Sequence, residues 1–183
     1  MTFFEYIAVA VSIVLSLSVA QILSVLREVF DPARRDWLHA SWVLIMLLTH
    51  VVAWWDFWSY RDVDWSLPAF ILVLGVASLV YICTQALVVR APGVEDYRSH
   101  LEAERVPFFL FFALLVAGSV VRDRVLRDDF NLLYRGPESA LILMSLIAAQ
   151  TSSRNVHLFL NGAIWLLVLL TVGFLWAQPG GAG

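Results

Sequence analysis

The sequence predicts an all-α fold, a polytopic transmembrane helical bundle of six spans, with five spans plus a re-entrant segment as the alternative. Three observations carry that reading. The 183 residues are 61% apolar and 15% charged, whereas soluble domains hold about 45–50% apolar and about 25% charged residues. Mean hydropathy is +0.80. Apolar runs near the ~20 residues that cross ~30 Å of hydrocarbon recur along the chain, separated by short clusters of charge, proline and glycine. Covering so many apolar segments leaves no room for a second, soluble domain, so residues 1–183 read as one transmembrane domain.

The first span covers 3–26 and ends at Arg27-Glu28. Ser18-Val19-Ala20 has the form of a small-x-small cleavage site. A secretory signal carries a positive leading region, however, and the only charge ahead of this run is Glu5, so the reading is an uncleaved helix. Ala8, Ser12, Ser16, Ala20 and Ser24 repeat at four-residue spacing. Such a stripe lets another helix backbone approach closely, within the bundle, at a seam between copies or along a pore. Gln21 lies beside it, placed to hydrogen-bond across the contact. Glu5 reads either as a solvated residue at the positive end of a helix or as a proton- or ion-binding group.

The second span, 38–60, is bracketed by Trp37 and Arg61. His50 falls near its middle, with Trp54 one turn on. An imidazole in mid-membrane should face protein. It reads as a hydrogen-bonded structural histidine, a proton relay or gate, or a haem or metal ligand. Asp56, inside Trp54-Trp55-Asp56-Phe57-Trp58, is the most conspicuous anion in the apolar runs. It is either an interfacial residue paired with Arg61 or a functional carboxylate. Trp37 and Trp42 at one end, and Trp54, Trp55, Trp58 and Trp65 at the other, mark the headgroup levels that amphipathic indoles prefer.

The third span, 67–89, is entered through Pro68 and closed by Arg90-Ala91-Pro92-Gly93. Gly75, Ser78, Ile82 and Gln85 share one face with Tyr81 adjacent, a polar seam of interhelical type. The connection 95–105 reads as a short surface helix carrying Asp96, His100 and Glu104 in a column. The fourth span, 106–126, leads into the mixed-sign segment 122–130. That segment reads as an exposed helical extension with local ion pairs, each worth little. The fifth, 138–152, is short: about 15 residues, or roughly 22 Å as a helix. Pro137 and Glu138 suit its start. The sixth, 156–177, carries His157, Asn161 and Trp165 in one column, and the Gly-rich tail 179–183 follows.

Six spans put His39, His100 and His157 at one membrane face. With Glu104 they form a set that can hold Zn²⁺ or a similar divalent ion. No H-E-x-x-H spacing occurs, and a solvated, salt-bridged helix accounts for the same residues. No other cofactor is expected.

Other chemistries are excluded by composition. All 12 basic residues are Arg, so no Schiff-base lysine and no phosphate loop of the G-x-x-x-x-G-K type exists. Cys83 is the single cysteine, which removes an internal disulfide, a cysteine zinc site and an iron–sulfur cluster. A net charge of −3 offers no footprint for nucleic acid. The first, third and fifth connections carry seven arginines against five on the others. The positive-inside bias therefore favours both termini outside.

The opening Thr2-Phe3-Phe4-Glu5-Tyr6, His50 followed by Trp54-Trp55, and Arg105-x-x-Phe108-Phe109 at the start of the fourth span give the chain a further character. In these it resembles a group of small uncharacterised bacterial inner-membrane proteins. The resemblance implies an inner-membrane location and a multi-pass architecture, and it carries no site residues with it.

The leading functional expectation is a small channel or transporter for an ion or solute, assembled as a homo-oligomer in the lipid bilayer. Glu5, Gln21, His50, Asp56 and Gln85 are its pore or proton-linked candidates. Short or interrupted helices often mark transporter sites. The alternatives are an accessory subunit that binds a partner, and an intramembrane metal-dependent enzyme acting on a lipid head group. The enzyme reading has no Ser-His-Asp, G-x-S-x-G or paired-aspartate motif behind it.

Overall fold

A computed structural model describes residues 2–33, 35–88, 96–127 and 132–177, apart from the side chains of 132–134, 171, 172 and 174–177. Among them every regular element is helical: α1 (Phe3–Val29), α2 (Trp37–Phe57), α3 (Leu67–Leu87), α4 (Tyr97–Arg127), α5 (Leu132–Gln150) and α6 (Arg154–Ala177). A 3₁₀ turn, Trp58–Tyr60, tightens the end of α2. Among the described residues four segments are long and apolar enough to cross a membrane: α1, Trp37–Tyr60, α3 and α4. Helix α6 runs for 24 residues, Arg154–Ala177. The connection at 89–95, the segment 128–131 and the tail 179–183 lie outside the described residues.

Local chemistry sets the starts. Thr2 and Glu5 form a reciprocal capping box on α1: the Thr2 hydroxyl accepts from Glu5 N at 3.2 Å, and the Glu5 carboxylate accepts from Thr2 N at 2.8 Å. Two of the four orphan N–H groups at a helix start are thereby satisfied. Asp36 caps α2 by accepting from His39 N at 2.9 Å. Ser66 caps α3, with Pro68 in the first turn where its missing N–H costs nothing.

Two elements differ from the sequence expectation. The supposed surface helix at 95–105 and the fourth span are one continuous helix, α4, which runs through Pro107. Proline removes a single bond, to the carbonyl four residues back. That residue, Ala103, is exposed, so its carbonyl is not stranded in a dry interior. In α5 the helix begins at Leu132 rather than at Pro137, and Pro137 lies inside it. An ion pair one turn apart, Arg135 Nη1 to Glu138 Oε2 at 2.7 Å, spans the proline.

The helices alternate in direction, so the ends of α2 and α4 meet the starts of α1, α3 and α5 at one end of the bundle, the N-terminal face. Phe4 of α1 stacks on Phe57 of α2 there at 5.0 Å. At the opposite face the end of α3 meets the starts of α2 and α4. Helix α4 packs most extensively on α5 and α3, α1 lies on α3 and α2, and α6 leans on α2 and α5.

The aromatic core sits between α2 and α4. Trp42 is 1% exposed and meets Phe108, Phe109 and Phe112 edge-on at 5.2, 5.0 and 5.7 Å. Such T-shaped contacts place a positive ring edge on a negative ring face. Trp42 is therefore core rather than headgroup belt, whereas Trp37, Trp54, Trp55 and Trp58 are exposed as expected.

The small-residue stripe of α1 starts half-buried at Ala8 and Ser12 and turns away from the bundle beyond them. Ser16, Ala20 and Ser24 are exposed, and the buried row is Ile7, Val11, Leu15, Ser18 and Ile22. Larger side chains make more dispersion contacts per residue, which favours turning the bulky row inward. Ser12 and Ser24 donate to carbonyls of their own helix, those of Ala8 and Gln21.

Candidate functional site

Polar side chains within apolar helices collect in three places: a charged network at the N-terminal face, a histidine inside α2, and a histidine-bearing layer at the opposite face.

The network joins α2, α4 and α5. Arg122, near the end of α4, is buried, with 9% of its side chain exposed. Its Nη2 pairs with Asp56 Oδ2, and Nε and Nη2 donate to Asp123 Oδ1 at 3.1 and 3.0 Å. Arg127 donates to Asp56 Oδ1 at 3.3 Å, to the Tyr60 hydroxyl at 3.1 Å and to Ser59 Oγ at 2.9 Å. The Tyr60 hydroxyl donates to Asp123 Oδ1 and lies 3.3 Å from Asp56 Oδ2. Both guanidiniums stand over the Tyr60 ring, at 4.9 and 4.7 Å, a favourable cation–π arrangement. Arg135 adds a contact to Asp123 at 3.8 Å and the pair with Glu138. Three guanidiniums thus balance three carboxylates. Burying an ion pair is tolerated when further hydrogen bonds satisfy its remaining donors and lone pairs; Tyr60 and Ser59 supply part of this, while Arg127 Nε is buried without a partner.

Two sequence expectations are corrected at this face. Arg61 is not the partner of Asp56; it pairs with Asp62 at 3.1 Å and lies over Trp58. The charges at 122–127 are not simply an exposed extension either, because Arg122 turns inward and Arg127 is partly covered. Asp56 points into the bundle, where α4 approaches, whereas Arg61 follows the 3₁₀ turn and is exposed.

His50 is buried in α2. Its Nδ1 lies 2.6 Å from the Met46 carbonyl and its Nε2 lies 2.7 Å from Ser18 Oγ of α1. A carbonyl only accepts, so Nδ1 carries a proton and Nε2 receives the Ser18 hydroxyl when the ring is neutral. A serine hydroxyl both donates and accepts. It can reverse and accept from Nε2–H, so the same heavy-atom geometry holds the imidazolium. Trp54, one turn on, shares none of this burial and is 48% exposed. Asp56 lies six residues beyond His50, about 9 Å along the helix.

The other pore or proton-linked candidates are spread apart. Glu5 completes the α1 capping box at the surface. Gln21 donates to the Tyr81 hydroxyl of α3 at 3.1 Å, the interhelical bond its position suggested. Gln85, at the far end of α3, buries a side-chain N–H without a hydrogen-bond partner. The polar seam of α3 is split, with Ser78 bonded to the Leu74 carbonyl at 2.8 Å and Gly75 exposed.

At the opposite face the histidines do a common job. His39 Nε2 donates to the Leu87 carbonyl at 2.8 Å and His100 Nε2 to the Ala86 carbonyl at 3.1 Å. These are successive carbonyls at the end of α3, where no helical N–H follows to satisfy them. The two rings lie 6.0 Å apart. His157 stacks on Phe109 at 5.4 Å and donates to the Thr151 carbonyl just past α5, at 2.9 Å. Glu104 lies one turn beyond His100 on α4 and is half-buried. The structure thus pairs His39 with His100 and holds His157 on another helix end. Among the described residues no three His, Cys, Asp or Glu side chains stand together as a metal-ligand group.

Sequence reasoning missed Ser41 and Tyr60. Ser41 of α2 donates to Asn161 Oδ1 and accepts from Trp165 Nε1, each at 2.7 Å, which ties the polar column of α6 to α2. In the sequence Tyr60 is only the last residue of the second span. A buried serine or tyrosine next to a run of tryptophans carries no signal of its own.

The chain matches no protein-family model, no curated protein and no solved structure.

Proposed function

We propose that the chain is a small membrane channel or transporter for an ion or solute, assembled from several copies, in which protonation of His50 controls passage. The observation behind this reading is the His50–Ser18 pair: an ionisable ring in the apolar part of a span, held so that it can gain a proton without losing a partner. Ionisable groups within membrane spans mark ion and proton pathways by default, and imidazoles titrate within about pH 5 to 8. The charged network at the N-terminal face acts as a fixed clamp across α2, α4 and α5. In this reading α5 and α6 also cross, giving six spans in a bacterial inner membrane with both termini outside.

The test is flux into liposomes carrying the purified protein, with a pH-sensitive dye inside and imposed proton, Na⁺ or K⁺ gradients. Wild type should show a flux that changes over about pH 5 to 8. His50→Ala should lose that dependence, and Ser18→Ala should shift it. Unchanged pH dependence in His50→Ala, or no flux under any of the three gradients, overturns the reading.

A second reading, an accessory subunit that binds a partner, has one specific observation in its favour. The stripe Ser16, Ala20 and Ser24 points away from the bundle on the least buried of the four long spans, ready for close approach by another helix. Crosslinking from Ala20→Cys in a Cys83→Ala background separates the two: a self-crosslink supports the homo-oligomer, a stoichiometric foreign band the accessory role.

A further inference from the structure

At the face opposite the charged network we propose a binding site for the phosphate of an anionic phospholipid headgroup, formed by Arg98 and Arg105 of α4 with Arg154 of α6. The three line one cleft of about 30 Å³, with Leu38 and Leu101 among the residues of its wall. That space holds about two water-sized groups, the size of the two free oxygens of a phosphodiester. Arg98 and Arg105 are seven residues apart, two turns, and therefore share a helix face.

The charges in the cleft are unequally satisfied. Arg98 pairs with Glu102 at 3.0 Å on the exposed rim. Arg154 pairs at 2.6 Å with Asp36, a carboxylate already used to cap α2. Arg105 buries its Nε with no hydrogen-bond partner. Glu102 and Asp36 are the carboxylates that pair with these guanidiniums, and Arg105 is left with one donor waiting for an acceptor. A guanidinium presents parallel N–H groups that match phosphate oxygens in pairs, and a buried donor left unpaired is destabilising until it finds an acceptor.

The surroundings favour a lipid over a free anion. Beside the arginines stand apolar Leu38 and Leu101, and from Val106 onward α4 turns apolar. Leu158 and Phe159, next to His157 of the cleft, are 48% and 75% exposed. A headgroup seated at the arginines would therefore continue into acyl chains along an apolar surface. This face also carries the larger share of arginines, the side that the positive-inside bias places against the anionic cytoplasmic leaflet.

The experiment is native mass spectrometry of the delipidated full chain in mild detergent, titrated with phosphatidylglycerol or with phosphatidylcholine of the same acyl chains. We expect one phosphatidylglycerol retained per chain in preference to phosphatidylcholine. Arg105→Gln should weaken that retention at least ten-fold and Arg105→Lys less, because lysine keeps the charge without the fork. Arg27→Gln removes a charge from the same face outside the cleft and should leave retention unchanged. Equal loss in Arg27→Gln and Arg105→Gln would show diffuse attraction and overturn the site. Equal retention of phosphatidylcholine would do so too. Displacement of the lipid by inorganic phosphate alone would make this a free-anion site and overturn the lipid assignment. If lipid-free Arg105→Gln melts well below wild type, Arg98→Gln, on the exposed rim, supplies the same comparison.

Discussion

Replacing Arg122 by Gln removes the most buried guanidinium of the network and leaves Asp56 and Asp123 to Arg127 and Arg135, at a cost of up to about 3 kcal/mol. Arg61→Gln, which breaks an exposed pair with Asp62, should cost less than about 1 kcal/mol. Unfolding curves in a mixed-detergent titration measure both, and a larger loss in Arg61→Gln would return Asp56 to the partner its sequence neighbourhood suggests. The contrast shows what the sequence could convey at this scale. Asp56 was conspicuous as a carboxylate in an apolar run, but its partner Arg122 lies 66 residues away, beyond any local pattern. Gln21 could be read as an interhelical donor because glutamine in lipid needs a partner, while the identity of Tyr81 depended on how α1 and α3 pack. The histidines were legible as a shared face and not as what they are, donors to helix-end carbonyls, since a carbonyl at a helix end has no residue type to announce it.

At the scale of elements, composition carried most of the information. Runs of apolar residues located α1, α2, α3 and α6 to within a few positions, because lipid thickness fixes helix length. The misreadings came where a local rule competed with a continuous backbone ladder. Pro137 suits a helix start and the sequence opens the fourth span at 106, yet Pro137 and Pro107 each lie inside a helix, since one missing hydrogen bond does not outweigh the turns on either side. The α1 stripe stayed open for another reason: small residues announce close approach without saying to what. The aromatic packing of α2 on α4 yields a sharp expectation. Trp42→Ala, which removes the ring from contact with Phe108, Phe109 and Phe112, should cost about 3 kcal/mol. Trp54→Ala, at an exposed position, should stay within about 0.5 kcal/mol. Thermal unfolding in one detergent measures the pair, and equal losses would place Trp42 outside the core.

At the scale of the whole molecule, the alternation of helices sorts residues onto two faces that chemical labelling can tell apart. Cys83 is buried at 0% exposure, so a cysteine introduced into a Cys83→Ala chain reports alone. With both termini outside, Asp62→Cys should react with a membrane-impermeant maleimide on intact cells, and Glu102→Cys only after permeabilisation; the reverse pattern inverts the orientation. The charged clamp has a further consequence in time. Asp56 leaves the ribosome 66 residues ahead of Arg122, which at about 5–20 residues per second is a wait of roughly 3 to 13 s. During that interval the second helix carries a carboxylate whose counter-ion has not yet been made. The arrival of α4 is thus the event that supplies it, and a chain truncated before Arg122 keeps Asp56 without that partner.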